Sequence, residues 1–371
     1  MGGGFVGRVH LDALRRLGGV DVRRLCISNP DRAGATAAEL GIDVVTDYRL
    51  LLDDPSIETI DICTPNALHF SMAADALAAG KHVICEKPLA ISADQARRLI
   101  AAAGNRRHCT CYNLRYYPLV QQMRRMCEDG DLGEILVVQG TYSQDWLLYD
   151  TDWNWRIEPE ANGPSRAMAD IGSHWCDMAE HVTGQRITAL CADLKTFHQT
   201  RKRPRGSIET FAGKMLKPDD YVETPIDTED FGAVIFRMGE RTRGSFTASQ
   251  VSAGRKNRLS IEIYGTKSSV AWDGERPNEL WIGSRNSPNQ IIVKDPSLLK
   301  PRVRPFADLP GGHAEGYGDT FKQVFELFFT AVEDPSREPE YPQFQDGLRQ
   351  LLLVEAALAS SGRHAWVEIS C

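Results

Sequence analysis

The sequence has no long hydrophobic run and no excess of positive charge. No uninterrupted apolar stretch reaches the ~18 residues that span a bilayer, and the amino end lacks the basic and apolar regions of a signal peptide. The 43 Lys and Arg residues are outnumbered by 50 Asp and Glu residues, which gives a net charge of −7. We therefore expect neither a membrane nor nucleic acid as partner, and a small molecule as ligand.

Paired cysteines and metal-binding motifs are also missing. The nine cysteines are scattered, and only Cys109 and Cys111 lie close together in sequence. This pattern is typical of a reducing compartment, so we predict a cytoplasmic protein without a disulfide framework. No HExxH or CxxC spacing occurs, and His181 is too far along the chain from His174 to form a compact ligand set. We predict no metal site.

The length of 371 residues and a hydrophobic content of 42% indicate an ordinary folded protein of about two domains. Short apolar runs at 20–28, 58–63 and 82–85 alternate with helical patterns at 5–17, 66–79 and 93–103 and one that ends at Leu40. Such alternation is typical of a parallel sheet covered on both faces. We predict an α/β domain over residues 1–118.

The remaining chain, 119–371, has a different pattern. Segments at 135–144, 187–197, 231–238, 242–251, 259–265 and 269–272 alternate apolar and polar residues, and several are separated by glycine-containing turns. This pattern predicts an α+β domain around a large, mostly antiparallel sheet. A basic run at 201–205 lies in a polar stretch, which we interpret as an exposed loop rather than a nucleic-acid site.

A glycine cluster, GGGFVG, opens the chain and fits the GxGxxG pattern of dinucleotide-binding loops. Such a loop lets the backbone approach a pyrophosphate and aims helix N–H groups at it. The predicted contacts are Gly2, Gly4, Phe5, Val6 and Gly7. Near the next strand end, where an acid would bind the ribose of NAD, the chain has no carboxylate.

That second strand end carries Ser28, Asn29 and Arg32, which could receive the 2′-phosphate of NADP. Asp31, one turn later, is predicted to be a helix cap. The choice between NAD and NADP stays open at this stage.

Two further strand ends carry polar residues. Glu86 and Lys87 directly follow the apolar run at 82–85, and ligands in open α/β sheets sit outside the carboxyl ends of the strands. A lysine there can stabilise negative charge on a reacting oxygen. The run at 58–63 leads to residues that would line the same rim, namely Thr64, Pro65, Asn66 and His69.

Asp170 and His174 are four residues apart, which places them on one face of a helix. A carboxylate in that position can hold the imidazole in one tautomer and favour its charged form, as a general base near neutral pH requires. The alternative is that Asp170 caps the helix and His174 is an ordinary helical histidine.

Together, GGGFVG, CTPNALH, CEKP and DIGSHWCD resemble the glucose-fructose oxidoreductase and inositol dehydrogenase family, Gfo/Idh/MocA. The resemblance implies an N-terminal Rossmann domain, a C-terminal domain with a large open sheet, and a homodimer or homotetramer. It also implies NAD(P)-dependent oxidation or reduction of a sugar or cyclitol hydroxyl. Lys87 and His174 would contact the reacting oxygen, Asp170 would orient His174, and the Lys87–Pro88 bond would be cis.

The resemblance extends to the substrate side. Residues similar to the family's substrate-side positions are Asn113, Arg115, Trp153, Trp155, Arg156, His313 and Tyr317. Either His174 is the base, or Lys87 is the base with a pKa lowered by burial or neighbouring charge. Two other functions keep the same fold: an NAD-dependent glycosidase that oxidises its substrate transiently, and a non-catalytic dinucleotide-binding sensor.

In the family a strand precedes the glycine loop and lies at the centre of the sheet. This sequence has no such strand before Gly2. A missing central strand would leave its neighbours unpaired. We therefore expect the natural chain to start upstream of Met1 and to carry one more strand.

Overall fold

The computed structural model describes residues 1–206 and 221–369. The chain divides into two units, one formed by Met1–Asn113 with Tyr317–Leu351 and the other by Leu114–Gly316 with Leu352–Cys371. The boundary predicted at residue 118 lies close to the first division, but the prediction had assigned 317–351 to the second domain. Within the described ranges, no helix is both long enough and apolar enough to cross a membrane.

The first unit alternates helices and parallel strands, as predicted. Its first ten elements are α1 (Phe5–Arg16), β1 (Arg24–Cys26), α2 (Ala33–Leu40), β2 (Asp43–Val45), α3 (Arg49–Leu52), β3 (Thr59–Ile62), α4 (His69–Ala78), β4 (His82–Cys85), α5 (Ala93–Ala103) and β5 (His108–Thr110). β4 is buried on both faces, with Val83 and Ile84 fully inaccessible, which explains its continuous apolar sequence. The Rossmann-like parallel arrangement is confirmed.

The parallel strands form two separate sheets. β1 pairs with β2, and β3, β4 and β5 pair in that order. Met1 and Gly2 lie between the two sheets. The Gly2 N–H donates to the Cys26 carbonyl of β1 at 2.9 Å, and the Cys63 N–H after β3 donates to the Met1 carbonyl at 2.8 Å.

The second unit is built on one large sheet. The next elements are α6 (Pro118–Glu128), β6 (Ile135–Ser143), α7 (Pro159–Asn162), α8 (Ser173–Thr183), β7 (Ile187–Lys195), β8 (Thr200–Pro204), β9 (Tyr221–Pro225), β10 (Phe231–Met238), β11 (Thr242–Ser249), β12 (Arg258–Gly265), β13 (Ser269–Asp273), β14 (Glu279–Gly283) and β15 (Gln290–Val293). The chain ends with α9 (Tyr317–Glu333), α10 (Phe344–Arg363) and β16 (Val367–Glu368). α9 belongs to the first unit, and the division falls within α10.

The nine-stranded sheet has the order β15-β14-β13-β12-β6-β11-β10-β7-β16 and is antiparallel except where β6 pairs with β11. Its inner face is covered by α8, whose Trp175 stacks on Phe246 with ring centroids 4.4 Å apart. Along β10 the burial alternates, with Val234 and Phe236 buried and Ile235 exposed. The predicted α+β class and large antiparallel sheet are confirmed.

The basic run at 201–205 is not the exposed loop that was predicted. Residues 200–204 form β8, which pairs with β9, and Arg201 is fully buried. Its guanidinium donates to the Asp230 carboxylate at 2.7 Å and to the Leu147 carbonyl at 2.9 Å. The prediction failed because the partners of this cation are distant in sequence. The part of the predicted loop at 207–220 lies outside the described residues.

Candidate functional site

The glycine loop needs glycine at two positions for steric reasons. Gly2 has a φ of +99°, and a Cβ there would lie 2.4 Å from the Cys63 carbonyl oxygen. A Cβ at Gly7 would lie 2.0 Å from the Gly2 carbonyl oxygen. Gly4 is the N-cap of α1, and Phe5 is 55% exposed just after it. The close backbone and the helix N-terminus fit the pyrophosphate of a dinucleotide.

His10, three residues further along α1, joins the ends of β3 and β4. Its Nδ1 lies 3.1 Å from the Asp61 carboxylate and 3.2 Å from the Cys63 sulfur, and its Nε2 lies 3.2 Å from the Glu86 carboxylate. Burial alone would lower the pKa of His10, but Cys63 and Asp61 together raise it well above its ordinary value. An imidazolium between two carboxylates therefore fixes α1 against the strand ends.

The rings of Phe321 and Phe325 on α9 pack against His10, with centroids 4.5 and 4.9 Å away. His10, Asp61 and Cys63 also bring three potential metal-ligand atoms together. The absence of a metal site stays a prediction.

The residues predicted on the strand-end rim lie there, and His69 connects their two loops. Its Nδ1 is 2.7 Å from the Pro88 carbonyl, and its Nε2 is 2.9 Å from the Thr64 carbonyl. Burial lowers the pKa of His69, against the effect of these two acceptors. His69 is fully buried, and these two hydrogen bonds join the loops after β3 and β4. Its contact with a cofactor stays a prediction.

Lys87 follows β4, and its peptide bond to Pro88 is cis, as the resemblance implies. The Lys87 N–H donates to the Glu86 carboxylate at 3.2 Å, so Glu86 bridges Lys87 and the His10 ring. Asn66 is buried behind Thr64 and Pro65. These residues share one end of β3 and β4, where a Rossmann-like sheet binds its ligand.

The end of β1 carries Ser28, Asn29 and Arg32, all of them exposed. The Asn29 side chain accepts a hydrogen bond from the Asp31 N–H at 3.0 Å and caps the short helix that follows. The prediction that Asp31 is the cap is wrong, because the residue that precedes Pro30 has the extended backbone of an N-cap.

In the second unit, Asp170 lies in a π-helical turn, Met168–Gly172, that leads into α8. Its carboxylate is 3.3 Å from the Arg156 Nε and accepts a hydrogen bond from the Gln250 amide at 2.9 Å. His174 follows near the start of α8 and is 7% exposed. A π-turn is a frequent feature of functional sites.

Tyr142 on β6 completes the surroundings of His174. The two rings have centroids 6.3 Å apart, and the Tyr142 hydroxyl donates to the Asn257 side chain at 2.8 Å. Burial and then the charge of Asp170 raise the pKa of Tyr142, so the phenol stays protonated.

A buried network of charges anchors the segment before the π-turn. The Glu229 carboxylate accepts hydrogen bonds from the Ser165 hydroxyl at 2.7 Å and from the Arg166 and Met168 N–H groups at 2.9 Å. Asp230, next in sequence, binds the fully buried guanidinium groups of Arg166 and Arg201. Burial raises the pKa of Asp230, but these guanidinium groups more than offset it and hold it below its usual value.

The predicted substrate residues fall into two groups. Arg156 contacts Asp170 and also lies over the Trp155 ring at 4.4 Å, and Trp153 donates to Glu158 at 3.2 Å beside them. Arg156 therefore links the Trp155 ring to the Asp170 carboxylate.

The other predicted substrate residues have structural partners elsewhere. Arg115 makes a two-pronged ion pair with the buried Asp177. In the first unit, Asn113 donates to the Thr320 hydroxyl at 2.7 Å, and Tyr317 packs edge-on against Phe321. His313 lies in an exposed turn of the second unit.

Sequence reasoning missed His10 and Gln250. A signal for His10 existed, because the buried positions 7, 10, 11 and 14 of α1 follow a helical stripe that includes it. Val6 and Val9, which also have helical spacing, are only half-buried. Gln250 had no local signal, because its partner Asp170 is distant in sequence.

Comparisons with known proteins agree with this geometry. Residues 1–113 match the profile described as the oxidoreductase family with an NAD-binding Rossmann fold, and residues 120–271 match the GFO/IDH/MocA C-terminal domain. Levoglucosan dehydrogenase of Pseudarthrobacter phenanthrenivorans is 30% identical over all of this chain and 97% of its own length. The chain belongs to the Gfo/Idh/MocA family. Inositol 2-dehydrogenase of Rhizobium meliloti is 23% identical over all of this chain and 98% of its own length.

Solved structures of the Gfo/Idh/MocA family show the same fold. A levoglucosan dehydrogenase in complex with NADH and levoglucosan has a TM-score of 0.88 and 29% identity, and the match covers all of this chain and 98% of that one. An inositol dehydrogenase homologue from Azotobacter vinelandii in complex with NAD+ has a TM-score of 0.85 and 26% identity, covering 99% and 95% of the two chains. The present chain is thus an NAD-binding oxidoreductase by family.

Proposed function

We propose that this protein is an NAD(P)-dependent dehydrogenase that moves a hydride between nicotinamide and a hydroxyl or keto carbon of a sugar or cyclitol. The observation that carries the proposal is the half-buried Asp170, paired with Arg156 and Gln250 one turn before His174. The names of the relatives, levoglucosan dehydrogenase and inositol 2-dehydrogenase, support the substrate class.

The mechanism assigns one task to each group. A nicotinamide cofactor held by this chain would supply the hydride acceptor. The imidazole of His174 accepts the hydroxyl proton, and the negative charge of Asp170 favours the resulting imidazolium. The Lys87 ammonium stabilises the developing alkoxide. The Gly2–Gly7 loop would hold the pyrophosphate, and the cofactor side would be lined by Thr64, Pro65, Asn66 and Glu86.

The first test is substrate oxidation followed by nicotinamide absorbance, with NAD and NADP against levoglucosan, inositols and free sugars. His174→Asn should lower kcat by about 10²- to 10⁴-fold, the usual contribution of a general base. His364→Asn is the matched control, since His364 is exposed with a φ of +52° that asparagine tolerates. Unchanged activity in His174→Asn, or no absorbance change with any substrate, would contradict the proposal.

A second variant separates the two possible bases. Lys87→Met should lower kcat while leaving the acidic limb of the pH–rate profile in place, because His174 still titrates there. If the limb instead disappears with Lys87, then Lys87 is the base and the assignment is reversed.

We also propose that Arg32, with Ser28 and Asn29, contacts the 2′-phosphate of NADP. All three are exposed at or just after the end of β1, and the strand end itself, residues 26–29, carries no carboxylate. Arg32→Ala should then lower kcat/KM for NADP and leave the value for NAD unchanged. Arg23→Ala, which removes an exposed arginine paired with Asp21, is the control. Equal losses with both cofactors would refute the contact.

The outer face of the nine-stranded sheet supports a homodimer or homotetramer. Ile235 is 50% exposed, Val137 38% and Ile291 62%, all of them on sheet strands. Exposed apolar residues grouped on one face are typical of an interface. Ile235→Asp should lower the mass measured by light scattering, whereas Glu240→Gln in a turn should not. A monomeric parent protein would refute this assembly.

A further inference from the structure

An open cleft of about 660 Å³ in the second unit is lined by the β8–β9 hairpin and by the segment 153–158. Its volume is within the range of small-ligand pockets, roughly 300–1,000 Å³. The lining combines indole rings with charged and polar side chains, among them Trp153, Trp155, Glu158, Arg203, Arg205 and Thr224. Two cations and one carboxylate line this cleft, although the whole chain has a net charge of −7. The local excess of positive charge favours an anionic ligand.

The alternation of β8 places the arginines of the basic run on one face of the hairpin. Arg201 and Arg203 stand opposite Thr224 and Val222 of β9, so these side chains share a face. Arg201 is fully buried and anchors the hairpin, whereas Arg203 lines the cleft together with Arg205, just after the strand. The basic run therefore contributes one structural cation and two cations of the cleft.

Arg203 is held in a defined position. Its guanidinium is 3.2 Å from the Glu158 carboxylate and 5.5 Å from the centroid of the Trp153 ring. The Trp153 N–H donates to the same Glu158 oxygen at 3.2 Å, and the indole packs against a buried apolar cluster that includes Ile157. A guanidinium has five N–H donors, so one ion pair leaves donors for a second anion. A cation that is already oriented loses less entropy when it binds a ligand.

Trp155 connects the cleft to the Asp170 carboxylate. The Trp155 indole lines the cleft, and the Arg156 guanidinium lies over this ring at 4.4 Å. The Arg156 Nε is 3.3 Å from Asp170 on its other side. Only two side chains therefore separate the cleft from the carboxylate next to the proposed base. A ligand in the cleft lies beside the proposed reaction site, where a more remote part of the substrate would be placed.

We propose that this cleft is a subsite for an anionic sugar unit of the substrate. The C–H side of the sugar ring packs on the indoles of Trp153 and Trp155, and its carboxylate or phosphate binds Arg203 and Arg205. A neutral unit would gain nothing from the two guanidinium groups, and a cationic unit would be repelled by them. The inference rests on the proposed function in one respect, because the anionic unit is linked to the sugar or cyclitol that is oxidised.

The first experiment measures binding without turnover. The full chain, free of nucleotide, is titrated with D-glucuronate, glucose 6-phosphate and glucose, and the affinities are determined by ligand-detected NMR. At least one anion should bind about tenfold more tightly than glucose at low salt, and the difference should shrink as the ionic strength rises. The anion that shows the difference identifies the charged group as carboxylate or phosphate. Equal affinity for all three sugars would overturn the proposal, whether or not the protein oxidises sugars.

Substitution of Arg203 shows whether the anion binds in the cleft. Arg203→Met should weaken binding of the anion by about 5- to 10-fold and binding of glucose much less. Lys202→Met is the matched control, because it removes the same charge from the opposite face of β8, where Lys202 pairs with Asp150 at 3.0 Å. Its affinities should stay within about twofold of the parent values. Equal losses in the two variants, or equal losses for anion and glucose in Arg203→Met, would overturn the subsite.

Glu158→Gln tests the subsite in the opposite direction and does not depend on the folding of an Arg203 variant. Glutamine keeps an oxygen for the Trp153 N–H but removes the negative charge that competes for Arg203. The anion should therefore bind about 2- to 5-fold more tightly. Unchanged or weaker binding would contradict the proposed contact with Arg203.

The link to the substrate is tested separately, with turnover. In Arg203→Met, the KM of a disaccharide that carries one uronic acid should rise by about 5- to 10-fold relative to the KM of its neutral analogue. An unchanged ratio of the two KM values, in a protein that binds the anion, would overturn the assignment of this anion to the substrate.

Discussion

The two units support their functional residues by different physical means. In the second unit, Asp170 and His174 lie on the π-turn and helix α8, which pack against a continuous nine-stranded sheet. The segment before them is anchored by Glu229 and Asp230. In the first unit, Lys87 follows β4 of a three-stranded sheet that is separate from the pair formed by β1 and β2. Fixed charges hold the second unit, and a titratable imidazole holds the first unit. The stability of the second unit should therefore depend on the deletion of a charge, and that of the first unit on pH.

Removal of the Asp230 charge should have the largest effect. Arg166 and Arg201 have no exposed surface, and both bind this one carboxylate. Asp230→Asn would leave two buried cations without their counter-ion, at a cost of about 3–5 kcal/mol in the free energy of unfolding. Urea unfolding measures this change in the free energy of unfolding.

The matched control is Asp193→Asn on β7, since Asp193 is exposed. Its free energy of unfolding should stay within about 0.5 kcal/mol of the parent value. A similar small change in Asp230→Asn would show that the second unit does not depend on this network.

His10 should give the first unit a pH dependence of intermediate size. Because the folded-state pKa of His10 is raised well above 6.5, its stabilisation is complete below pH 6.5 and is lost as the pH rises through the folded-state value. Burial raises the pKa of Asp61, but His10 more than offsets it and holds the pKa below 3.8, so the contribution of Asp61 is lost only as the pH falls through that lower value. The first unit should be most stable between these limits.

His10→Gln should remove the loss of stability at alkaline pH. It should also lower the free energy of unfolding near pH 6 by about 1–3 kcal/mol, the range for a buried group left without its partner. Hydrogen exchange of the first unit, measured against pH, reports this directly. His364→Asn, outside the network, should keep the alkaline loss. If His10→Gln keeps it as well, another group is responsible.

Local patterns in the sequence predicted the elements, because burial within one helix or strand follows its own period. The Ser92 cap and the apolar stripe of α5, for example, are both readable from a dozen residues. The partners of Arg201 and Asp170 could not be predicted from the sequence. A charged residue of either sign is predicted to be solvent-exposed unless the position of its counter-ion in the fold is known. α9 was predicted as part of the second domain for the same reason: its contact with His10 spans most of the chain.

Substitution of Gln250 should have the smallest effect, a modest loss of kcat, and it gives the sharpest comparison of the two units. It donates one hydrogen bond to Asp170, whereas Arg156 provides the ion pair, so the carboxylate has two separate supports. Gln250→Met removes one support and should lower kcat by about 5- to 10-fold, in line with ~1–1.5 kcal/mol for a single hydrogen bond. Arg156→Met should lower it further.

A positioning role predicts more than a loss of rate. With fewer donors on Asp170, the acidic limb of the pH–rate profile should move, because the charge that favours protonated His174 is held differently. Gln139→Met is the matched control: Gln139 donates to Glu262 on the exposed face of the sheet and should leave both rate and profile unchanged. A rate loss in Gln250→Met without a shifted profile would reduce Gln250 to a packing residue. The position of the Asp170 carboxylate would then depend on its ion pair with Arg156 and not on Gln250.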